Sequence, residues 1–339
     1  MKRKCCCPAI PKKDKLRRQI KSDIIFLNLR TNAMNLNVYI LTYNRATLLR
    51  ETIESVLNQT YRDFDLYILD NCSVDNTEEI VKSFSDERIN YIKHETNIGA
   101  AGNLDFAINH CKADYFVMFH DDDIMLPDFL EREIKAMEAN SDVAVVSTNA
   151  FVLNEKYGKE KKRLLLKNTG GAYSNGKCYL TYLATAKTLI FPSLMYRKSF
   201  LDMNDIKINP SVGPCLDVAF YFDIERKGGK ILELSEALMY YRLHSGQDSH
   251  QNKNIYMMEL KLFEFLMQDE YYKIPLKSYA QEIYDRYYIR TMYKYFKGMI
   301  DEKQFYEIKN GFGNCLNVKR SKWNIVENVM KLYFCLFKG

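Results

Sequence analysis

Short apolar runs alternate with amphipathic segments from residue 36 to about residue 150. Five runs are rich in β-branched and aromatic residues and are bounded by polar turns: residues 38–42, 66–70, 89–93, 115–119 and 143–147. After the first run, Leu49, Ile53 and Val56 recur at helical spacing and form one apolar stripe. Alternating strands and helices predict the α/β class, with a mostly parallel central sheet flanked by helices.

Polar side chains follow four of these predicted strands. Right-handed crossovers place the carboxyl ends of parallel strands at one edge of a sheet, where ligands bind. The residues at these ends are Thr42, Tyr43, Asn44, Arg45, Asp70, Asn97, Gly99, Asp121, Asp122 and Asp123. We therefore expect one pocket built from four strand ends.

The three adjacent aspartates are the most distinctive feature of this edge. Asp121, Asp122 and Asp123 would repel one another in a cleft unless a cation neutralised them. Carboxylate oxygens suit Mg²⁺ or Mn²⁺, and such an ion usually bridges the phosphates of a substrate. The triplet thus predicts a divalent metal and a nucleotide diphosphate. The alternative is a solvated acidic turn that caps the next helix.

Composition narrows the class of protein. The chain has 339 residues, of which 47% are hydrophobic and 27% charged, as in a globular protein with a sizeable core. Its nine cysteines form no Cys-x-x-Cys pair, which argues against a zinc ribbon or a disulfide scaffold and favours the cytoplasm. Since no apolar run approaches about 18 residues, we expect no membrane span.

Positive charge is concentrated at the start of the chain. Residues 1–34 hold 10 of the 49 Lys and Arg residues but only two acids, so the remainder is nearly neutral and nucleic-acid binding is not expected. We interpret residues 1–34 as a basic, disordered leader, or as translated upstream sequence with Met34 as the working start. An arm that binds anionic lipid is the alternative.

Five motifs in order resemble the family 2 glycosyltransferases with the GT-A fold. They are Val-Tyr-Ile-Leu-Thr-Tyr-Asn-Arg at 38–45, Ser-Val-Leu-Asn-Gln-Thr at 55–60, Tyr-Ile-Leu-Asp-Asn-Cys-Ser-Val-Asp-Asn-Thr at 67–77, Asn-Ile-Gly at 97–99, and Phe-His-Asp-Asp-Asp-Ile-Met-Leu-Pro at 119–127. The resemblance is close over residues 36–150 and looser to about residue 250. It implies transfer of a sugar, with inversion, from a nucleotide diphosphate donor, expected to be a UDP-sugar, to an acceptor hydroxyl.

The resemblance also implies roles for individual residues. Thr42, Tyr43 and Asn44 correspond to the loop that binds base and ribose, and Asp70 resembles the acid that contacts uracil. Asp122 matches the principal metal ligand.

In the family's metal motif the first position is usually an acid, and in this chain His120 occupies that position. Asp121 or Asp123 would therefore take the ribose contact or the second metal contact. Which of the two does so is left open.

Two downstream segments complete the expected site. Asp217 resembles the second residue of the family's Glu-Asp pair, with Leu216 in place of the Glu, and would remove the proton from the acceptor hydroxyl; a helix cap is the alternative. In the segment Tyr-Arg-Leu-His at 241–244, Arg242 would hold a phosphate oxygen and His244 would complete the metal shell.

The chain beyond residue 250 has a different texture, rich in tyrosine and basic residues, and predicts a helical appendage over residues 251–339. Apolar side chains recur at helical spacing near its end: Trp323, Val326, Met330, Tyr333 and Phe337. Such a stripe fits an interfacial helix on a membrane or a helix packed on the catalytic domain. Residues 35–250 would then form the GT-A domain.

The resulting hypothesis is an inverting, metal-dependent glycosyltransferase, acting on a glycan or lipid-linked saccharide of the cell envelope. We expect it in the cytoplasm, with peripheral attachment to the inner face of the membrane if the terminal stripe is interfacial. A sugar nucleotidyltransferase is the rival enzyme, although residues 42–45 lack its glycine-rich, basic loop. A noncatalytic nucleotide- or glycan-binding protein is the rival outside enzymes.

Overall fold

The computed structural model describes residues 35–154, 158–165, 171–173, 177–244, 255–319 and 321. The strands are β1 Leu36–Thr42, β2 Phe64–Asp70, β3 Ile89–Lys93, β4 Tyr115–His120, β5 Ile124–Met125, β6 Val143–Asn154, β7 Gly158–Leu164, β8 Gly171–Tyr173, β9 Leu194–Arg197 and β10 Lys230–Leu243. The first helices are α1 Ala46–Leu57, α2 Thr77–Lys82, α3 Gly99–His110, α4 Phe129–Ala139, α5 Lys177–Thr185, α6 Lys198–Met203 and α7 Leu216–Arg226. The C-terminal helices are α8 Ile255–Leu266, α9 Glu270–Ser278, α10 Ala280–Phe296 and α11 Glu302–Leu316. Short 3₁₀ helices span Phe191–Ser193 and Pro210–Cys215.

One mixed sheet organises the chain, in the order β3-β2-β1-β4-β9-β6-β10-β5. Strands β1 to β4 are parallel to one another, which confirms the mostly parallel sheet predicted from the alternating pattern. The short strand β9 enters antiparallel between β4 and β6, and no periodicity in the sequence predicted it.

The register of the parallel strands brings their carboxyl ends level. Thr42 of β1 lies opposite Asp70 of β2, and Leu41 lies opposite His120 of β4. The loops that follow these strands therefore meet at one edge of the sheet, as expected from the handedness of the crossovers.

Successive side chains of a strand point to opposite faces of the sheet, and a separate hydrophobic cluster covers each face. Val38 and Ile40 of β1 pack with Leu49, Ile53 and Val56 of α1 in one core cluster. This confirms the predicted stripe. Tyr39 faces the other way and belongs to a second, larger cluster.

The C-terminal helices belong to that second cluster. The Phe263 ring of α8 stacks on Tyr182 of α5 at 6.0 Å between centroids, and the Tyr179 hydroxyl donates to the Tyr272 carbonyl at 2.9 Å. The predicted helical region is therefore present, and it shares its core with the domain that carries the sheet.

Two predicted segments lie outside the described residues: the basic leader of residues 1–34 and the apolar stripe from Trp323 to Phe337. Among the helices that the structure describes, none is both long and apolar enough to cross a membrane.

Candidate functional site

The loops after β1 and β2 are bonded to each other. Asn44 adopts a left-handed conformation with φ of 53°. Its backbone N–H donates to the Ser73 hydroxyl at 2.9 Å, and its side-chain oxygen accepts from the Val74 N–H at 2.8 Å. Asparagine tolerates this conformation better than most residues. Tyr43, beside it, is 46% exposed, so its ring stands at the rim of the edge.

Asp70 is fully buried at the end of β2, and both of its carboxylate oxygens are engaged. One oxygen accepts from the Ser73 N–H at 2.7 Å and so caps the turn that follows β2. The other accepts from the Tyr91 hydroxyl at 2.6 Å. Burial, together with this bond to Asp70, raises the pKa of Tyr91. Asp70 therefore shapes the wall of the pocket, and its contact with a uracil stays a prediction.

The loop after β3 is fastened by two asparagines. The Asn97 side-chain oxygen accepts from the Gly99 N–H at 2.8 Å and from the Asn71 amide at 3.0 Å. Asn71 in turn accepts from the Ile98 N–H at 2.9 Å. Gly99 has φ of +73°, a conformation that disfavours side chains with a Cβ. Asn71 is a pocket-forming residue that the sequence analysis missed, although it stands directly after Asp70.

The three aspartates after β4 are buried, with exposures of 3%, 3% and 0%. Burial raises the pKa of Asp121 to about 6, against the opposing attraction of Arg45. Burial and the neighbouring Asp122 charge raise the pKa of Asp123 well above its usual value. One oxygen of Asp122 and one of Asp123 are buried without a hydrogen-bond partner. Buried, unpaired carboxylate oxygens carry a desolvation cost that a bound cation would offset.

A histidine joins two of these aspartates. His120, Asp122 and Asp123 can each offer one ligand atom, and these atoms all lie within 4.8 Å of one another. Nitrogen and carboxylate oxygen donors at this spacing fit a divalent ion. This group shares Asp122 and Asp123 with the predicted metal ligands and adds His120.

Two basic side chains contact the same carboxylate oxygen of Asp122, Oδ2. The Arg45 guanidinium bridges Asp122 at 3.0 Å and Asp121 at 3.1 Å. The His244 ring nitrogen lies 2.9 Å from the same Asp122 oxygen. The structure therefore brings the predicted residues Arg45 and His244 to the aspartates, and direct ligation of a metal by His244 stays a prediction.

Arg242 reaches the aspartates from β10, on the far side of the sheet order. Its backbone N–H donates to Asp123 at 2.9 Å and its Nε donates to the Asp122 carbonyl at 2.7 Å. Its guanidinium also forms an ion pair with Glu51 of α1. These contacts make Arg242 a residue that holds the aspartate loop, and its predicted contact with a phosphate stays a prediction.

The polar face of α1 fastens the same loop. The Thr52 hydroxyl lies 2.9 Å from the Asp121 carbonyl and 2.8 Å from the Asp123 carbonyl. The Ser55 hydroxyl accepts from the Met125 N–H at 3.1 Å, and the Gln59 amide donates to the Leu126 carbonyl at 2.7 Å. Ser55 and Gln59 belong to the motif at 55–60, whose role could not be deduced from its residue types.

Asp217 is the second residue of α7 and is partly buried. One of its oxygens accepts from the Val218 N–H at 2.8 Å, in the first turn of the helix. Burial raises the pKa of Asp217 to about 6. Burial raises the pKa values of the Tyr196 and Tyr221 hydroxyls, and the nearby charge of Asp217 raises them further. A carboxyl with this pKa is largely ionised at neutral pH and can still accept a proton, as a general base must.

Comparison with known proteins identifies the chain. Residues 37–203 match the family model described as glycosyl transferase family 2. An uncharacterized glycosyltransferase of Methanocaldococcus jannaschii is 26% identical over 276 residues, covering 80% of this chain and 84% of the relative. Residues 37–203 therefore form a family 2 glycosyltransferase domain of GT-A type.

Two further similarities concern proteins with stated activities or ligands. The Escherichia coli UDP-Glc:alpha-D-GlcNAc-diphosphoundecaprenol beta-1,3-glucosyltransferase WfgD is 32% identical over 139 residues, covering 38% of this chain and 54% of WfgD. The structure of Staphylococcus aureus TarS 1–349 in complex with UDP-GlcNAc superimposes with a TM-score of 0.64 and 17% identity, covering 84% of this chain and 82% of TarS 1–349. At that identity the similarity shows the fold.

The family assignment confirms the resemblance seen in the five motifs and the α/β fold inferred from it. The chain is a glycosyltransferase, which decides against the nucleotidyltransferase and the noncatalytic alternatives. Within this glycosyltransferase, the residues expected at the strand ends do converge on one edge. Their individual roles remain predictions.

Proposed function

We propose that this glycosyltransferase transfers a sugar, with inversion, from a UDP-sugar to a hydroxyl of a glycan or lipid-linked saccharide, and that it depends on Mn²⁺ or Mg²⁺. The observation that carries the proposal is the pair of buried carboxylate oxygens, one on Asp122 and one on Asp123, that accept no hydrogen bond at the carboxyl edge of the sheet. The UDP-GlcNAc complex of TarS and the activity in the name of WfgD support a uridine donor.

The donor would lie across the loops of the four strand ends. Thr42, Tyr43 and Asn44, with Asp70 behind them, would line the base and ribose. Asn97 and Gly99 would close the side of the pocket. Asp121, held by Arg45, would contact the ribose.

Asp122 and Asp123 would hold the metal, with His244 next to Asp122. A divalent ion bound there would neutralise the charge that develops on the leaving diphosphate. Arg45 supplies fixed positive charge close to the same carboxylates.

Asp217 would act on the acceptor. As the acceptor oxygen forms its bond to the anomeric carbon, the bond from that carbon to the diphosphate oxygen breaks, and the hydroxyl proton passes to the Asp217 carboxylate. Attack from the face opposite the leaving group inverts the anomeric configuration. The burial that raises the pKa of Asp217 to about 6 makes it a stronger base than an exposed aspartate.

The test combines binding and turnover. Calorimetry should show UDP binding that strengthens with Mn²⁺ and is weakened by a chelator. A screen of UDP-, GDP- and dTDP-sugars should then identify the donor that is consumed, and NMR of the product should show the opposite anomer. Donor consumption that is insensitive to chelation, or a product with retained configuration, would contradict the proposal.

The acceptor and location are further parts of the proposal. The lipid diphosphate in the name of the WfgD activity supports a lipid-linked acceptor. Such an acceptor would place the transfer at a membrane surface, which we propose to be its cytoplasmic face. Transfer to a soluble saccharide and to a lipid-linked one should be compared directly, because equal rates on both would remove the support for a membrane acceptor.

A further inference from the structure

Tyr91 of β3 contacts the carboxylate of Asp70 at the end of β2. Its hydroxyl donates to Oδ2 of Asp70 at 2.6 Å. The Tyr91 ring is half-buried and packs against the core cluster that contains Val38 and Ile40, which fixes the direction of the side chain. Burial, together with the bond to Asp70, raises the pKa of Tyr91, so the hydroxyl keeps the proton that it donates.

Asp70 connects Tyr91 to the loop that follows β1. Its other oxygen, Oδ1, accepts from the Ser73 N–H at 2.7 Å. The Ser73 hydroxyl in turn accepts from the Asn44 N–H at 2.9 Å. Three hydrogen bonds therefore link β3 to Asn44 across the ends of three strands. Asn44 needs such support, because its backbone lies in the left-handed region with φ of 53°.

The orientation of the Asp70 carboxylate depends on its two donors. Asp70 is fully buried, and among the described residues its Oδ2 accepts from the Tyr91 hydroxyl alone. A buried carboxylate oxygen that loses its donor carries a desolvation cost, and the side chain would rotate toward another donor. Because Ser73 is bonded to the same carboxylate, this rotation would also displace the turn that holds Asn44.

We infer that Tyr91 is a positioning residue for the donor: it holds Asp70, and through Asp70 it keeps residues 42–44 in the shape that binds the uridine part of UDP. The inference rests on the proposed function, which places the base and ribose of the donor at that loop. Tyr91 acts through Asp70 and not through a contact of its own with the nucleotide. It lies outside the five sequence motifs, so this role comes from the structure alone.

Calorimetry of UDP tests the role of the hydroxyl. Tyr91→Phe removes the hydroxyl, keeps the ring, and should weaken UDP binding by about tenfold. The loss should be the same with Mn²⁺ and with a chelator, because Tyr91 acts at the nucleoside end of the donor. A Tyr91→Phe chain with an affinity within about twofold of wild type would overturn the inference. So would a loss that appears only with Mn²⁺.

Tyr67→Phe is the matched control. Tyr67 is a half-buried tyrosine of the adjacent strand β2, and its ring packs with the cluster on the opposite face of the sheet. The substitution removes a hydroxyl of the same kind away from Asp70. Tyr67→Phe should therefore bind UDP as the wild type does.

A double-mutant cycle tests the route through Asp70. Asp70→Asn should itself weaken UDP binding, and adding Tyr91→Phe to it should weaken binding by less than about twofold more. Fully additive losses would show that Tyr91 acts by another route and would overturn the inference.

Steady-state kinetics separate positioning of the donor from a general loss of activity. With the UDP-sugar that the donor screen identifies, Tyr91→Phe should raise KM and leave kcat unchanged, as expected when binding is lost equally from the ground state and the transition state. A lower kcat with an unchanged KM would contradict the inference.

Fluorine NMR keeps the inference testable if Tyr91→Phe does not fold. 3-Fluorotyrosine placed at position 91 retains the hydroxyl and its bond to Asp70. Saturation with UDP should shift the ¹⁹F signal at position 91, because the bonded carboxylate is tied to the loop that receives the nucleoside. The same label at position 67 should not shift. An unchanged signal at position 91 would overturn the inference.

The two levels of proposal fail differently. If the wild-type chain does not bind UDP, the proposed donor is wrong and the inference is wrong with it. If the wild type binds UDP and Tyr91→Phe binds it equally well, the donor stands and only the role of Tyr91 is wrong.

Discussion

Asp122 uses its two carboxylate oxygens for different purposes. Oδ2 is held by Arg45 and His244, while Oδ1 is buried without a partner. A side chain held in this way has little freedom to turn, so its unpaired oxygen is preorganised for a cation. A variant of Asp122 should therefore change metal binding through the loss of charge on these oxygens.

Asp122→Asn should abolish the Mn²⁺-dependent part of UDP binding, because it removes the charge at nearly constant size. Calorimetry of UDP with Mn²⁺ measures this, and we expect the metal-dependent gain in affinity to fall by about tenfold or more. Asp65→Asn, an exposed position on β2, is the matched control and should bind as wild type does. An Asp122→Asn chain that binds equally tightly would remove Asp122 from the site.

Asp217→Asn should separate binding from chemistry. An amide cannot take the proton of the acceptor, so transfer should fall by about 10²- to 10⁴-fold while UDP affinity stays unchanged. For the wild type, kcat should rise with pH through a pKa near 6, because the ionised carboxylate is the active form. If the variant transfers sugar within about threefold of wild type, another group is the base.

The same substitution should stabilise the fold at neutral pH. The pKa of Asp217 is raised from 3.8 to about 6, so the folded chain holds the proton more tightly than the unfolded chain does. Below about pH 4 both states are protonated, and above pH 6 the folded state bears the cost of a buried charge. Asp217→Asn should thus raise the free energy of unfolding by about 1–3 kcal/mol at pH 7 and change it little at pH 4. Equal effects at both pH values would contradict the role of burial.

At the scale of elements, α1 and β10 both hydrogen-bond to the loop that carries the three aspartates, residues 121–123. Thr52 of α1 bonds to the carbonyls of Asp121 and Asp123, and Arg242 of β10 bonds to Asp123 and to the Asp122 carbonyl. The two elements are themselves joined by the ion pair of Arg242 with Glu51. The metal-binding loop therefore depends on packing between elements that are far apart in the chain.

Thr52→Val should loosen this loop while leaving its own sequence intact. The substitution leaves two buried carbonyls without the hydroxyl, which costs about 1–3 kcal/mol of unfolding free energy. It should also weaken Mn²⁺-dependent UDP binding. Thr52→Ser keeps the hydroxyl and is the matched control, expected to retain metal binding. If Thr52→Val loses stability but binds Mn²⁺ and UDP normally, the helix supports the fold without positioning the aspartates.

At the scale of the molecule, the C-terminal helices and the sheet domain share one core. Phe263 contacts Tyr182 of α5, Tyr287 of α10 and Phe312 of α11. Arg286 of α10 donates to the Leu183 carbonyl at 2.6 Å. Helix α8 also packs beside the 3₁₀ helix that leads into α7, where Asp217 stands.

Phe263→Ala should therefore destabilise the whole chain. Loss of this buried ring should cost about 3–5 kcal/mol. Because the core is shared, thermal unfolding followed by calorimetry should show one transition moved to lower temperature. Two transitions, of which only one moved, would mean that the helical region folds separately from the sheet domain.

The terminal stripe is tested by deleting residues 319–339. If the stripe is interfacial, the truncated chain should sediment less with anionic vesicles while donor hydrolysis is largely retained. If the stripe instead packs on the domain, its removal should cause aggregation or earlier melting with vesicle binding unchanged. The second pattern would remove the sequence-based support for membrane attachment.

Local patterns in the sequence determined the parallel strands, the stripe of α1 and the convergence of polar residues at the strand ends. These features depend on side-chain periodicity and on the handedness of connections, which act over short distances along the chain. The tertiary structure decided where β9 enters the sheet. It also decided the hydrogen bonds from Arg242 to Asp122 and Asp123, which lie about 120 residues earlier in the chain. It further decided that His120 lies close enough to Asp122 and Asp123 for the three side chains to share an ion. Such contacts join residues that are distant in sequence, and only packing of the whole core selects them.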